Sequence, residues 1–371
     1  MKKKHAMTYA ESGVNYADMD PFKIAAQKAA ITTASNMKFG FSEVTSSRGE
    51  SVYLIDTPDC YLAHVEEGLG TKNLVADAMY KKNPLALQGY ETIAIDTVAM
   101  IVNDMITLGA LPLSVAMHLA VGSSDWFKDK RRYQSLVAGR KKGCDLAGCV
   151  WSCGETPTLK GIVNPETFVI SGSALGAIKP KMDRIHRGPQ PGDAIILFAS
   201  SGVHANGLTL CREIADKFPA GYDTILPGSK CSYGDALLTP TKIYVSLIDL
   251  LHQFDIDIHY AVNITGHGWR KLMRHPSNLT YVIQEIPEPP EIFTFLQTAG
   301  SITDEEAYGN FNMGAGFAIF VAKNMAKKVV QLAADIGFDS MEAGCVTAGP
   351  DRQVIIRPKN LVYSGETLQI R

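Results

Sequence analysis

The segment 91–108 constrains the fold more than any other. Its body, Ile93, Ile95, Val98, Met100, Ile101, Val102, Met105, Ile106 and Leu108, is apolar nearly all round when wound as a helix. A helix with no polar face must be covered on every side by the rest of the chain. Gly109 and Pro112 end it. Three polar residues nevertheless lie within it: Asp96, Asn103 and Asp104. Asp96 and Asn103 are separated by about two helical turns, so they share a face, and Asp104 is adjacent. Buried carboxylates are costly unless paired or metal-bound. Asp104 also falls near the helix C-terminus, where the macrodipole disfavours an anion. A divalent cation would relieve both penalties. A lysine or solvent at the helix end would relieve them equally well.

The covering elements are readable on either side. Apolar runs predict strands over 113–119, 168–178, 193–199, 257–264 and 317–321, and a strand pair, 51–55 and 60–65, joined by the turn Asp56-Thr57-Pro58-Asp59. Helices are expected over 22–34, 126–142, 208–218, 241–254, 269–275 (strongly basic) and 326–336. Strands alternating with helices predict an α/β or α+β class. At ~150 residues per domain, 371 residues suggest about two domains. The break is expected at 179–192, a connector rich in Pro, Gly, Lys and Arg between apolar strands, giving halves 1–179 and 180–371.

Composition excludes several functions. A net charge of −2 argues against nucleic acid as the main partner. No window approaches the ~20 apolar residues that span a bilayer, so no membrane association is expected. The basic start Met1-Lys2-Lys3-Lys4-His5 is followed by no apolar stretch, and seven cysteines, an odd number, suit reduced thiols; both predict a cytoplasmic protein. Cys144, Cys149 and Cys153 cluster, but not at zinc-site spacing, and are read as core.

Four loops carry possible chemistry. Glu66-Glu67-Gly68-Leu69-Gly70-Thr71-Lys72 follows a strand; its glycines let amides close on a ligand, Lys72 suits a phosphate and Glu67 suits Mg²⁺. Gly154-Glu155-Thr156 adds a carboxylate. Taken singly, each reads as an ordinary turn rather than a site. Ser200-Ser201-Gly202-Val203-His204-Ala205-Asn206-Gly207 joins a strand to a helix N-terminus, an arrangement that binds anions, with His204 as a donor or general acid. Asn263-Ile264-Thr265-Gly266-His267-Gly268 repeats that arrangement, and two such loops favour a phosphorylated ligand.

In this order the segments resemble the aminoimidazole ribonucleotide synthetase (phosphoribosylformylglycinamidine cyclo-ligase) family. The likeness runs through Tyr9-Ala-Glu-Ser-Gly-Val-Asn15, Glu67-Gly-Leu-Gly-Thr-Lys72, the Asp96 to Pro112 stretch, Ser200 to Gly207, Leu237-Leu-Thr-Pro-Thr-Lys-Ile-Tyr-Val245 and Phe311-Asn-Met-Gly-Ala-Gly316. The resemblance implies a two-domain fold shared with selenophosphate synthetase, thiamine-monophosphate kinase and a hydrogenase-maturation protein. Its N-terminal sheet would form a barrel-like homodimer interface, and its C-terminal domain a mixed sheet flanked by helices. It implies ATP and Mg²⁺ as cofactors and an ATP-driven closure of the imidazole ring of formylglycinamidine ribonucleotide. By position, Glu67, Asp96, Asp104 and Glu155 would hold metal. Gly68, Gly70, Thr71, Lys72, Asn103 and Gly154 would hold ATP phosphates. Ser201, Gly202, His204, Asn206, Gly207, Gly266 and Gly268 would hold substrate, with His204 and Lys72 catalytic.

Four departures stand out. Phe39-Gly40-Phe41-Ser42 replaces a Gly-Phe-Gly-Gly loop, Glu67 replaces Asp, Val169 replaces an Asp, and His267 interrupts a Gly-Gly-Gly run. They leave two rivals open: an ATP-dependent phosphotransferase acting on another small molecule, and a non-catalytic binding relative.

Overall fold

A computed structural model describes residues 7–8, 11–13 and 16–368. The Tyr9–Asn15 motif lies partly outside them. Among the described residues thirteen strands form two sheets. The first contains β1 (Ser42–Glu43), β2 (Tyr53–Asp56), β3 (Tyr61–Gly68), β4 (Leu111–Val121), β5 (Val150–Glu155) and β6 (Phe168–Ile178), ordered β1-β2-β3-β6-β4-β5. All its pairings are antiparallel except β4 with β5. The second contains β7 (Asp193–Ala199), β8 (Ile258–Asn263), β9 (Leu279–Ile283), β10 (Ala315–Ala322), β11 (Ser340–Ala348), β12 (Gln353–Ile356) and β13 (Leu361–Ser364), ordered β13-β12-β9-β11-β7-β10-β8. It is mixed, because β12 runs parallel to β9. The class is α+β, and within one chain neither sheet closes into a barrel.

The described residues also form ten α-helices: α1 (Tyr16–Ile31), α2 (Lys72–Lys82), α3 (Gln88–Met105), α4 (Lys130–Ala147), α5 (Leu208–Ala215), α6 (Tyr233–Leu237), α7 (Val245–Gln253), α8 (Glu291–Gly300), α9 (Asp304–Asn310) and α10 (Ala326–Asp335). As its composition requires, α3 is enclosed; every residue from Thr92 to Met105 is buried except Met100, which is half-buried. It lies under β3 and β6, beside α4 and against β8 of the second sheet. The α3–α4 crossing is unusually close. A Cβ on Gly139 would lie 2.1 Å from the Glu91 carbonyl oxygen.

The hydrophobic core runs across both sheets in two clusters. Ile101, Val102 and Met105 of α3 share a cluster with Leu247, Ile248 and Leu251 of α7 and with Phe317 of β10. The break at 179–192 therefore separates the sheets but not the hydrophobic core.

Several elements differ from expectation for visible reasons. The helix expected from 241 begins at Val245, because 239–244 is drawn across α3 by side chains described below. The helix expected over 126–142 splits into a 3₁₀ turn, Ser124–Lys128, and α4, where Asp129 caps Arg131 N–H. The basic segment 269–275 is a 3₁₀ helix, Gly268–Met273. Helix α2, strands β9, β11, β12 and β13 and helices α8 and α9 were not expected. The outer strands are short, and half-polar runs such as Ser340–Ala348 carry no clear period.

Candidate active site between the two sheets

Several pieces of the chain meet at a cavity of about 520 Å³. Glu67 comes from the end of β3 and Asp104 from the end of α3. Asn206, Thr265, Gly266, His267, Lys271 and Arg274 come from the loops after β7 and β8. Lys23 of α1 and Glu50 of the loop before β2 complete the wall.

The two acids face cations. Burial and the neighbouring Asp104 carboxylate push the Glu67 carboxyl up to about 7, against the pull of Lys271 and Arg274. Asp104 Oδ1 accepts from Asn263 Nδ2 at 2.7 Å. Lys271 is the counter-charge. Its buried ammonium donates to the Asn263 carbonyl at 3.3 Å and to the Thr265 hydroxyl, and burial lowers its pKa although Asp104 and Glu67 oppose that shift. Arg274 ties down the 49–51 loop, donating to Ser51 Oγ at 2.7 Å and to the Gly49 carbonyl at 2.8 Å.

Asp96 and Lys72 lie elsewhere. Their charged groups are 2.5 Å apart and both side chains are fully buried. Lys72 also donates to the carbonyls of His204, at 3.0 Å, and Thr239, at 2.9 Å, so its three donors are occupied. Asp96 Oδ1 accepts the Thr241 amide at 2.6 Å. Two turns along, Asn103 accepts the Tyr244 amide at 2.9 Å and donates to the Lys242 carbonyl at 2.8 Å. The shared face of Asp96 and Asn103 thus holds the 239–244 strap of the second half. Among the described residues, neither Asp96 nor Lys72 lines the cavity.

His204 is also drawn inward. Its Nε2 accepts the Ser201 amide at 3.2 Å, and burial, with Lys72 and Lys242 nearby, drives its pKa down to about 3. The ring is neutral and braces the loop rather than pointing into the cavity. Ser201 Oγ donates to the Pro240 carbonyl at 2.5 Å, and the Gly202 carbonyl accepts from Asn312 at 2.8 Å. Gly207 has φ +80°, and a Cβ there would lie 2.2 Å from the Phe311 ring. Of this loop, Asn206 reaches the cavity; of the next, Gly266 lines it, whereas Gly268 packs against the Tyr308 carbonyl and does not.

The remaining expected residues sit at the sheet. Gly68 pairs with Ser171, Gly70 has φ +74°, and the Thr71 hydroxyl lies 3.3 Å from that of Thr209. Glu67, Gly172, Met117 and Gly154 occupy one row across β3, β6, β4 and β5. At ~4.8 Å per strand, Gly154 and the exposed Glu155 lie about 14 Å from Glu67. A single ion cannot bind both ends of that row.

Among the described residues no three His, Cys, Asp or Glu side chains form a metal-binding group. Glu67 and Asp104 still fit a magnesium ion, which commonly takes one or two carboxylates and completes its shell with water and phosphate. Burial first and the Asp104 charge second raise Glu67, and a cation between the two carboxylates would oppose both. The cations Lys271 and Arg274 were not singled out beforehand. Their signal was the run Arg270, Lys271, Arg274 directly after a glycine loop. Lys23 had none.

Comparison with known proteins agrees with this architecture. Residues 52–178 match the AIR synthase related protein N-terminal domain and residues 190–357 its C-terminal domain. A structure of a HypE–HypF complex aligns with a TM-score of 0.58 at 14% identity, covering 85% of this chain and 92% of that one. AaThiL complexed with AMPPCP and TMP aligns at 0.57 and 14%, covering 84% and 89%. At such identity these share the fold. A phosphoribosylformylglycinamidine cyclo-ligase of Methanothermobacter thermautotrophicus is 32% identical over 332 residues, 89% of this chain and 92% of its own length. That of Methanosarcina acetivorans is 33% identical over 335 residues, 90% and 93%. With relatives this similar along almost their whole length, and both family domains in order, the chain belongs to the AIR synthase family.

Proposed function

We propose that this chain is an ATP-dependent ligase that closes the imidazole ring of formylglycinamidine ribonucleotide, yielding aminoimidazole ribonucleotide, ADP and phosphate. The observation that carries the reading is the cavity itself, where paired acids and a set of cations from both halves converge on a space of about 520 Å³. The relatives named for this reaction, and a Thermotoga maritima PurL solved with ATP and with FGAR on the same fold, support it.

In this reading the γ-phosphoryl of ATP passes to the formyl oxygen of the substrate. An amidine nitrogen then attacks the activated carbon, and phosphate departs with that oxygen as the ring closes. The protein's work is positioning and neutralisation. Lys271 and Arg274, with Lys23, face the phosphate charge. Glu67 and Asp104 would hold Mg²⁺, which would supply positive charge to neutralise the phosphate. Asn206 and Gly266 contact the substrate. Lys72, Asp96, Asn103 and His204 act as positioning residues, locking the loops that carry those contacts.

A homodimer is part of the proposal. One face of the first sheet packs on α3, while Leu113, Val150, Val169 and Leu175 expose 45–63% of their surface. A second copy covering that face would pair two open sheets into a barrel-like interface. Free thiols throughout the described residues and the nucleotide chemistry suit a cytoplasmic setting. No described helix is long and apolar enough to cross a membrane.

The test is titration calorimetry with Mg-ATP, followed by turnover assays. ATP hydrolysis that appears only with formylglycinamidine ribonucleotide supports the ligase. Turnover with other small molecules alone would replace it with a phosphotransferase, and no binding at millimolar nucleotide with a binding module. Asp104→Asn should abolish Mg-ATP binding and leave the fold intact.

A further inference from the structure

Thr265, Gly266, His267 and Gly268 form one turn in the cavity wall. The Gly268 amide donates to the Thr265 carbonyl at 3.0 Å, and His267 has φ 69° and ψ 2°. That is the third position of a type II turn, where positive φ makes glycine the default residue. The backbone has no room to relax. Gly268 also has positive φ, and a Cβ on it would lie 2.3 Å from the Tyr308 carbonyl oxygen, so the loop is pressed against α9. A side chain at position 267 therefore costs free energy that glycine would not. Seven non-glycine residues among those described have positive φ. His267 has the largest, and it alone of the seven lines the cavity. A residue that breaks the local turn rule at a cavity wall points toward a role with the ligand.

Its surroundings say which part of a ligand it meets. Burial, with the Arg270, Lys271 and Lys23 charges around it, drives its pKa down to about 3. A neutral imidazole carries one donor and one acceptor nitrogen. Phosphate is served by the ammonium and guanidinium groups beside it. The imidazole suits an uncharged hydroxyl or amide.

We propose that His267 is a specificity-determining residue that hydrogen-bonds an uncharged hydroxyl or amide of the substrate, beside the phosphate charge that Lys271 and Arg274 face. The inference rests on the cavity being the formylglycinamidine ribonucleotide site. Three full-length proteins test it: wild type, His267→Gly and His267→Gln. Each is measured by thermal unfolding without ligand and by calorimetric titration with formylglycinamidine ribonucleotide and with Mg-ATP. His267→Gly should raise the unfolding midpoint by a few degrees, because the strain is gone, yet weaken the ribonucleotide by about tenfold or more. Mg-ATP affinity should stay within twofold. His267→Gln, which keeps a donor and an acceptor, should recover most of the binding without the gain in stability. Unchanged ribonucleotide affinity in His267→Gly, or a lowered midpoint, overturns the proposal and leaves the ligase reading standing. A folded wild type that does not bind the ribonucleotide overturns both, and that failure is seen before any substitution is made.

Discussion

Asp96→Asn separates a structural lock from a metal ligand. The Asp96 carboxylate and Lys72 ammonium are 2.5 Å apart with both side chains fully enclosed. Removing one charge strands the other in a low-dielectric interior, at a cost of about 3–5 kcal/mol. Asparagine is close to isosteric, so the Thr241 amide keeps an acceptor and little of the loss comes from packing. Against a typical stability of ~5–15 kcal/mol, that is a large fraction. The assay is urea unfolding of Asp96→Asn, Lys72→Met and the double variant, with magnesium and nucleotide absent. Each single variant should lose several kcal/mol. The double variant should lose about as much as either single, a coupling of about 3 kcal/mol, because no unpaired charge remains. Losses that simply add, or a single loss under about 1 kcal/mol with Mg-ATP affinity abolished, would refute the lock and return Asp96 to the metal site.

Three further outcomes are expected. The folded protein holds His204 neutral with a pKa of about 3, whereas an unfolded histidine titrates near 6.5. The unfolded state therefore binds a proton the native state refuses, and stability should fall below pH 6.5 by about 1.4 kcal/mol per pH unit; His204→Gln should flatten that slope in urea melts at pH 7 and 5. Gly139→Ala should cost about 2 kcal/mol or more and lower the thermal midpoint, since the added methyl would meet Glu91 backbone at 2.1 Å. Leu175→Arg, on the open sheet face, should yield a folded monomer in sedimentation experiments; an unchanged dimer would locate the interface elsewhere.

Of the acids expected to gather around a triphosphate, the structure brings two together and sets two apart. Glu67 and Asp104 share the cavity, but Asp96 has a lysine and Glu155 sits on an edge strand about 14 Å away across the sheet. The sequence left the choice between cation and lysine open for the α3 acids. In the structure Asp96 pairs with Lys72, while Asp104, eight residues on along the same helix, faces the cavity with Glu67 and Lys271. Nothing local to Asp96 announces Lys72, twenty-four residues earlier, or the amide of Thr241, far downstream. The glycine loops were legible as loops, yet His204, the most chemically suggestive residue, is turned inward by a bond to its own loop.

Strands such as Phe168–Ile178 and Asp193–Ala199, the buried character of α3 and the glycine-rich βα loops follow from sequence alone, because periodicity, apolar runs and turn residues act over a few positions. Which charges meet does not, because ion pairing and cavity walls depend on through-space distance between segments that only the packed core brings together. The same core, running across both sheets beneath a connector that looks like a boundary, is what decides that an acid from β3, an acid from α3 and cations from beyond β8 share one space.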